Sequence, residues 1–584
     1  MTKYFLQLLI LMAMSVNLWS QETKLTIAVT SDIHGRFFPQ NHLQGDDYDH
    51  SLAAIHAKVE ELRAEHEHVI LLDNGDLLQG TPAAYYAAYQ QDGAPQMFSR
   101  MMNFMRYDAA TVGNHDIECG PKVYNQLKHD FNFPYLGANV INEISQAPHF
   151  QPYTVLHKGG VKIAILGLTT PSVPNWLPPH LYDGLTFEDM VESARKWVGI
   201  IMENERPDVL IGLFHSGIGK RDVAEDEHPL ENACAHIAHY VPGFDVVITG
   251  HDHGKRNELT ENVNGSPVQI LGPRHHAEYL GIVELTFQSR GSEKPLLSEM
   301  SGYHIPIDKD VVSQGFMEAF SNDIKAIDQW AKSYVCHIPK DVDAISSLFG
   351  PAQLTDIIHA VQLRFTEADI SFTAPLSFND TLRQGDLYMR DLFKLYPFEN
   401  YLYTMSLTGQ EILNYLEYSA GGWFNTMTSA SDHLLNFRKG ADGQVDMGRE
   451  GSFRLARPYY SLDGAAGVHY TVDVTAPPGK RIQMKNLADG RSFELSETYK
   501  VAINSYRGSG GGNHLIEGAG IQRDNLKERI VTTSDVELRS LIGQYLKEQK
   551  EDELPQTATW QVIPQTFVER AIKSDIERLL MSKK

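Results

Sequence analysis

Cysteine is nearly absent from this sequence: three residues, Cys119, Cys234 and Cys336, in a chain of 584. Their odd number and wide spacing leave no Cys-x-x-Cys pair, which excludes a zinc ribbon and implies no disulfide framework, although one pair could form. Positive charge is also scarce. Fifty-one Lys and Arg stand against seventy-four Asp and Glu, a net charge of −23. A field of that sign repels polyanions and argues against nucleic-acid duplexes as partners. Small anions remain accessible wherever a metal ion or a helix N-terminus inverts the local field. Long apolar runs are missing after the first twenty residues. Those residues, "MTKYFLQLLILMAMSVNLWS", carry one Lys, an apolar run from Tyr4 to about Val16, and a small residue, Ser20. The run is too short to span a bilayer comfortably and fits a secretory signal peptide over residues 1–20, so an exported, periplasmic or secreted chain without a later transmembrane helix is expected. No cysteine lies there to take a lipid.

Ordinary globular composition is what remains, with 42% hydrophobic and 10% aromatic residues. The length points to two domains. One pattern then recurs along the first half. "KLTIAVT" runs into Ser31-Asp32-Ile33-His34-Gly35, "HVILLDNGD" ends at Asp76, and "AATVGNHD" supplies Asn114 and His115. "DVLIGLFH" ends at His215, and "DVVITGHDH" at His251 and His253. Each stretch is a β-branched, apolar run suited to a strand buried on both faces, followed at once by side chains that bind metals. Between them, "LAAIHAKVEELRAEH" and "FEDMVESARKWVGIIMEN" place apolar residues three and four apart, as helices do. Alternating strands and helices predict a layered α/β domain with its ligands gathered beyond the carboxyl ends of the strands. A single His after a strand is usually structural; five strands ending this way form a cluster.

Two aspartates, four histidines and one asparagine suit divalent first-row ions, Zn, Mn, Fe or Co, better than a calcium cage. They are too many for one tetrahedral ion and fit two ions sharing a carboxylate. Two ions about 3.5–4 Å apart clamp the attacking and leaving oxygens of a phosphoryl displacement, which points to phosphoester hydrolysis.

In their order, D-x-H, G-D, G-N-H-D, a lone His and G-H-x-H, these residues resemble the calcineurin-like metallophosphoesterases. "LTIAVTSDIHGRF" and "LLDNGD" look in particular like the secreted 5'-nucleotidase branch. The resemblance implies a four-layer β-sandwich flanked by helices, followed by a separate mixed α/β domain that binds substrate. It implies that Asp32, His34, Asp76 and His253 hold a first ion, that Asp76 bridges, and that Asn114, His215 and His251 complete a second. It further implies in-line attack on phosphorus by a hydroxide that the ions activate. His115 is then no ligand but the group that stabilises the transferring phosphoryl oxygens or protonates the leaving group. Relatives orient that His with an Asp three residues on; Glu118 stands there in this chain, one methylene longer. Asp116 reads better as a loop hydrogen-bonder than as a catalytic group.

Beyond about residue 291 the ligand pattern stops. "DVVSQGFMEAFSNDIKAIDQWAKSYV" reads as one long amphipathic helix, so the expected layout is a catalytic domain over 21–300, a helical linker over 301–336, a substrate domain over 337–550 and a packed tail over 551–584. In the substrate domain, "ARPYYSLDGAAGVHYTVDV" offers Tyr459 and Tyr460, and "NSYRGSGGGNHL" offers Tyr506 and Arg507. Tyrosines there are ordinarily core residues. The resemblance implies instead that two of them, Tyr506 with Tyr460 preferred over Tyr459, stack a nucleobase, with Arg507 beside them as a substrate contact. The 5'-nucleotidases also carry a Gly-Gly-Asp-Gly whose Asp holds the ribose hydroxyls; "GSGGGN" has Gly or Asn at that place. "TAPL", "LEYSAGGWFN" and "NSYRGSGGG" look more like the periplasmic 2',3'-cyclic-nucleotide 2'-phosphodiesterase/3'-nucleotidases. In those substrates the ribose 2' and 3' oxygens carry the phosphate, and an Asp aimed at them would repel it. The expected activity is therefore that one. A 5'-nucleotidase or UDP-sugar hydrolase is the alternative, followed by a phosphatase for another small ester and by a non-catalytic metal-binding surface protein. Nothing in the sequence sets the number of subunits.

Overall fold

The computed structural model describes residues 20–90, 96–224, 227–290, 294–440, 442–447, 453–549, 553–557 and 559–580. The expected signal peptide lies outside the described residues except for Ser20, where the first strand begins. Among the described residues no helix is long and apolar enough to cross a membrane, and all three cysteines are free thiols. The chain divides into two compact units. One comprises residues up to 173 and 179–327, the other 174–178 and 328 onward.

Two six-stranded sheets build the first unit. One runs, in spatial order, Leu296–Pro306, Tyr279–Arg290, Ser20–Thr30, Val69–Asp73, Ala109–Thr111 and Tyr135–Leu136; its last four strands are mutually parallel. The other runs Lys255–Glu261, Pro267–Pro273, Val246–Thr249, Val209–His215, Val161–Thr169 and Tyr153–Lys158, with four parallel strands at its centre. The period-two alternation of strands decides which side chains meet between the sheets. Leu25, Ile27, Val29, Ile70 and Leu72 from one face Ile163, Ile165, Ile211, Leu213 and Ile248 from the other, all buried. Each such side chain contributes about 1.5–3 kcal/mol by leaving water. The opposite face of the second sheet presents Leu166, Leu168, Leu210 and Phe214 to helices Met190–Asn204 and Cys234–Tyr240. Local signals start the helices: Ser51 caps Leu52–Glu65, and the Asp189 carboxylate accepts from the amides of Val191 and Glu192 at 2.9 Å. This is the expected layered α/β architecture.

Residue 300 lies within the strand Leu296–Pro306, which pairs along its length with Tyr279–Arg290, so the first unit continues to Ile327 rather than ending near 300. The single helix expected after it is two, Gln314–Ala319 and Ser321–Ala331. Phe320 turns out of helical geometry between them (φ −108°, ψ 13°).

The second unit is built on a five-stranded mixed sheet in the order Gly464–Ala466, Ile370–Thr373, Thr498–Asn504, Tyr401–Thr408 and Ile530–Glu537. Successive residues again face opposite ways. Tyr403, Met405, Val501 and Ile503 enter one core with helix Gly409–Trp423, while Leu402 and Ala502 enter another with Gln353–Thr366. A reciprocal capping box, Thr408 with Glu411, fixes the start of Gly409–Trp423. Near the C-terminus, Trp560–Ile563 adds a parallel strand beside Val468–Asp473, and Gln565–Leu580 follows as a helix.

Candidate metal centre

The seven predicted ligands all lie at or just past the carboxyl ends of parallel strands. Asp32, His34, Asp76 and Asn114 come from the first sheet, His215, His251 and His253 from the second. The sheets bring them into two groups. Candidate ligand atoms of Asp32, His34 and His253 lie within 4.8 Å of one another, and so do those of Asp76, His215 and His251. The groups adjoin: Asp76 Oδ2 lies 3.2 Å from His215 Nε2 and 4.0 Å from His34 Nε2. Asn114 Oδ1 lies 3.0 Å from the same His215 nitrogen.

Backbone conformation explains how short loops aim so many side chains at one place. Fourteen described non-glycine residues have positive φ, and five of them are Asp32, His34, Asp76, His251 and His253. Each costs about 1–3 kcal/mol and persists only where its surroundings enforce it. Here the hydrogen bonds Asp32 N–H to Gly75 O (2.9 Å), His34 N–H to Asp76 O (3.1 Å) and His276 N–H to Asp32 O (2.8 Å) do so. Gly113 serves space rather than conformation. Its φ of −98° suits any residue, but a Cβ there would collide with Asp76 Oδ1 and with the Asp76 amide. A Gly113→Ala variant is therefore expected to fold yet lose most of its metal and at least about tenfold in activity, because displaced ligands cost about 10–100-fold in metal affinity. Metal per chain by plasma emission, beside the melting temperature, checks this.

Neighbours that the sequence did not flag complete the centre. His215 Nδ1–H donates to Asn74 O (2.7 Å), which turns its Nε2 toward Asn114 and Asp76. Glu231 Oε1 lies 3.3 Å from His251 Nε2, the kind of carboxylate partner that fixes a ligand's tautomer. His275 stacks on His253 (4.5 Å, 17°), and the His276 ring lies 5.8 Å from that of His34. The signal for these two was "RHHAEY", but they follow a strand whose ligand-like ending is not D-x-H or G-H-x-H. Asp116 is a loop hydrogen-bonder: its carboxylate accepts from the amides of Gly113 (2.8 Å), Asp76 (3.1 Å) and Leu78 (3.3 Å). His115 stands on the short helix Asn114–Glu118 and donates Nδ1–H to Glu118 Oε2 at 2.5 Å. The extra methylene of Glu therefore does not prevent the pair. The His115 backbone N–H also donates to Asp76 Oδ1 (2.8 Å).

Electrostatics fit the residues to divalent ions. Burial raises Asp32 to about 7, helped by the Asp76 charge. Burial works against the charge of Asp76 too, but His215 and His115 hold it well below the usual carboxylate range. His215, also disfavoured by burial, is lifted to about 9 by Asp76 and Asp32. His253 falls to about 4 through burial and the neighbouring His275. Two oxygen acceptors, Asn114 Oδ1 and Asp76 Oδ2, lie 3.0 and 3.2 Å from His215 Nε2. Such a convergence is repulsive unless a cation or proton compensates it.

In the second unit, Tyr506 follows strand Thr498–Asn504 on the turn Ser505–Gly508, whose start Asn504 caps. Tyr460 is exposed (37%) with its ring centroid 6.4 Å from that of Phe398, whereas Tyr459 is half-buried. Arg507 is not available as the substrate contact expected of it. It is buried and gives two hydrogen bonds to Asp463 (3.1 and 2.7 Å), one to Gly511 O (2.8 Å) and one to Tyr460 O (2.7 Å). It ties the loop of Tyr460 to the loop of Tyr506.

Residues 25–255 match the family model described as calcineurin-like phosphoesterase, so the protein is a metal-dependent hydrolase of phosphoester bonds. Residues 335–517 match the family model described as 5'-nucleotidase, C-terminal domain. The trifunctional nucleotide phosphoesterase protein YfkN of Bacillus subtilis is 29% identical over 93% of this chain, which spans only 39% of that longer protein. A 2',3'-cyclic-nucleotide 2'-phosphodiesterase/3'-nucleotidase of Salmonella typhimurium is 26% identical over 86% of the chain and 83% of its own length. The 5'-nucleotidase precursor of Thermus thermophilus shares the fold, with a TM-score of 0.60 at 22% identity over 93% of this chain and all of that one.

Proposed function

We propose that the protein is an exported nucleotide phosphohydrolase that prefers 2',3'-cyclic nucleotides and 3'-nucleotides. The observation that carries the preference is the loop 508–513, which offers glycines and Asn513 but no carboxylate beside Tyr506. A free ribose diol therefore finds no carboxylate acceptor there, and a phosphate on those oxygens meets no negative charge. Asp32, His34, Asp76 and His253 would hold one ion, with Asp76 shared, and Asn114, His215 and His251 the other. Such ions supply Lewis acidity at the phosphoryl group and lower the pKa of the attacking water. Imidazole and carboxylate donors favour Zn, Mn, Fe or Co.

The chain's own groups do the rest. His115, its Nδ1 held by Glu118, turns Nε2 outward to stabilise a phosphoryl oxygen or pass a proton to the departing oxygen. Asn114 adds a donor atom without adding negative charge beside an anionic phosphate. Tyr460 and Tyr506 take the base between them, and Arg507 with Asp463 positions both loops. Export rests on the apolar run at Tyr4–Val16 and is checked by sequencing the mature N-terminus.

The match to a 5'-nucleotidase C-terminal domain favours one second reading, a 5'-nucleotidase or UDP-sugar hydrolase. A panel of 2',3'-cyclic AMP, 3'-AMP, 5'-AMP and a nucleotide sugar with Mn, Zn, Co and Mg separates them; strong 5'-AMP hydrolysis without cyclic activity reverses the preference. In the same assay Tyr506→Ala is expected to raise KM for the nucleotide by roughly 5- to 150-fold, the loss of one base stack. Hydrolysis of p-nitrophenyl phosphate, which has no base, should not change.

A further inference from the structure

A cavity of about 580 Å³ opens on the second unit, within the size range of small-molecule sites. One wall is the segment 453–459, whose residues alternate in exposure: Phe453, Arg457 and Tyr459 are half-buried and Arg454 is exposed. Phe378 closes the wall against Tyr459, with ring centroids 5.7 Å apart. Arg438 enters beside Arg454, held there by its backbone N–H donating to Arg454 O at 2.7 Å. Among the described residues lining this cavity three are arginines and none is acidic, in a chain of net charge −23. Arg457 is shared with an adjacent cavity lined by Glu417, Tyr418, Gly422 and Glu517, and its guanidinium is fixed on that side. The Arg457 guanidinium lies 4.2 Å over the Tyr418 ring, and a Cβ on Gly422 would sit 2.6 Å from Arg457 Nε, so only glycine leaves that space. Among the described residues Arg438 has a carboxylate partner in Asp446 at 3.4 Å, but that ion pair is open to solvent on the arginine side and weak.

Guanidinium groups set around aromatic faces match a phosphate ester of a flat ring: the forks bind the phosphate oxygens and the rings stack the base. We propose that this cavity is a binding site for a nucleotide unit additional to the one undergoing hydrolysis. The inference rests on the nucleotide reading given above. It also assigns separate roles to the two adjacent tyrosines. Their rings are nearly perpendicular (78°, centroids 5.6 Å apart), Tyr460 directed toward Phe398 and Tyr459 toward Phe378. One serves the reacting base and the other the cavity.

The same chemistry has two sources, the distal half of a dinucleotide substrate or a free nucleotide. The variant Arg438→Ala/Arg454→Ala distinguishes them, since both side chains are exposed and the fold does not depend on them. Its kcat/KM is compared with wild type on adenylyl-(3'→5')-adenosine 3'-phosphate, 3'-AMP and p-nitrophenyl phosphate, and each protein is titrated calorimetrically with a hydrolysis-resistant adenosine phosphonate. A loss of about tenfold on the dinucleotide alone identifies the distal half of a substrate. Loss of the second of two bound phosphonates, with all three rates unchanged, identifies a free nucleotide. A wild type that binds a single phosphonate, with a dinucleotide rate indifferent to the substitutions, overturns the proposal. Turnover of p-nitrophenyl phosphate without turnover of either nucleotide would refute the nucleotide reading instead, and the titration would still report on the cavity.

Discussion

Replacing Asp76 by Asn is expected to lower kcat on every phosphoester by about 10³-fold or more while leaving the fold intact. Asp76 Oδ2 lies between His215 Nε2 (3.2 Å) and His34 Nε2 (4.0 Å), and Oδ1 accepts the His115 amide (2.8 Å). It is the carboxylate on which both groups converge, and its charge holds the cluster together. Asn keeps its shape and tolerates its φ of +54°, so backbone strain is unchanged. What disappears is the negative charge. Changing even an outer partner of a ligand costs about 10–100-fold in metal affinity, and a carboxylate shared by two ions costs more. The expected pattern is near-wild-type circular dichroism, metal per chain falling well below two, and turnover close to background. Substantial activity from a metal-washed Asp76→Asn protein would sink the two-ion reading.

His115→Ala should be nearly as damaging for a different reason. A positioned acid or charge stabiliser contributes about 10²–10⁴-fold in kcat. Because His115 is in neither candidate ligand group, metal content should stay at the wild-type level, which separates this variant from Asp76→Asn. The loss should be equal on a nucleotide and on p-nitrophenyl phosphate, since it acts on the phosphoryl group and not on the base. Glu118→Gln probes the 2.5 Å hydrogen bond that orients the ring and should cost less, about tenfold, since the imidazole itself remains. Unaltered turnover in a fully metallated His115→Ala protein would remove His115 from the mechanism.

Reading along the chain goes furthest where chemistry follows a strand directly. D-x-H, G-D, G-N-H-D, the lone His and G-H-x-H each occupy a few residues, and each run before them is apolar enough to be recognised as a buried parallel strand. Within "GNHDIE" the His115–Glu118 contact is itself local, an i, i+3 pair on one helical turn. The resemblance pointed to Glu118 at that place; the helical turn that brings it to His115 has only five residues and no periodicity to detect. The continuous helix expected after residue 310 shows the opposite weakness. Its apolar spacing runs unbroken through Phe320, where the structure divides it.

The amino-acid sequence alone determined the α/β class, the seven candidate ligands, the order of catalytic and substrate halves along the chain, and the aromatic loops of the second half. All of these depend on residues within a few positions of one another. Tertiary structure alone decided how the ligands divide into two groups and that Asp76 stands between them, because the members come from two sheets. It also decided that Arg507 is consumed by Asp463, 44 residues away, that His275 stacks on His253, and that Tyr459 and Tyr460 face different neighbours. Contacts between distant segments depend on how strands are ordered and paired, and local propensity carries no record of that order.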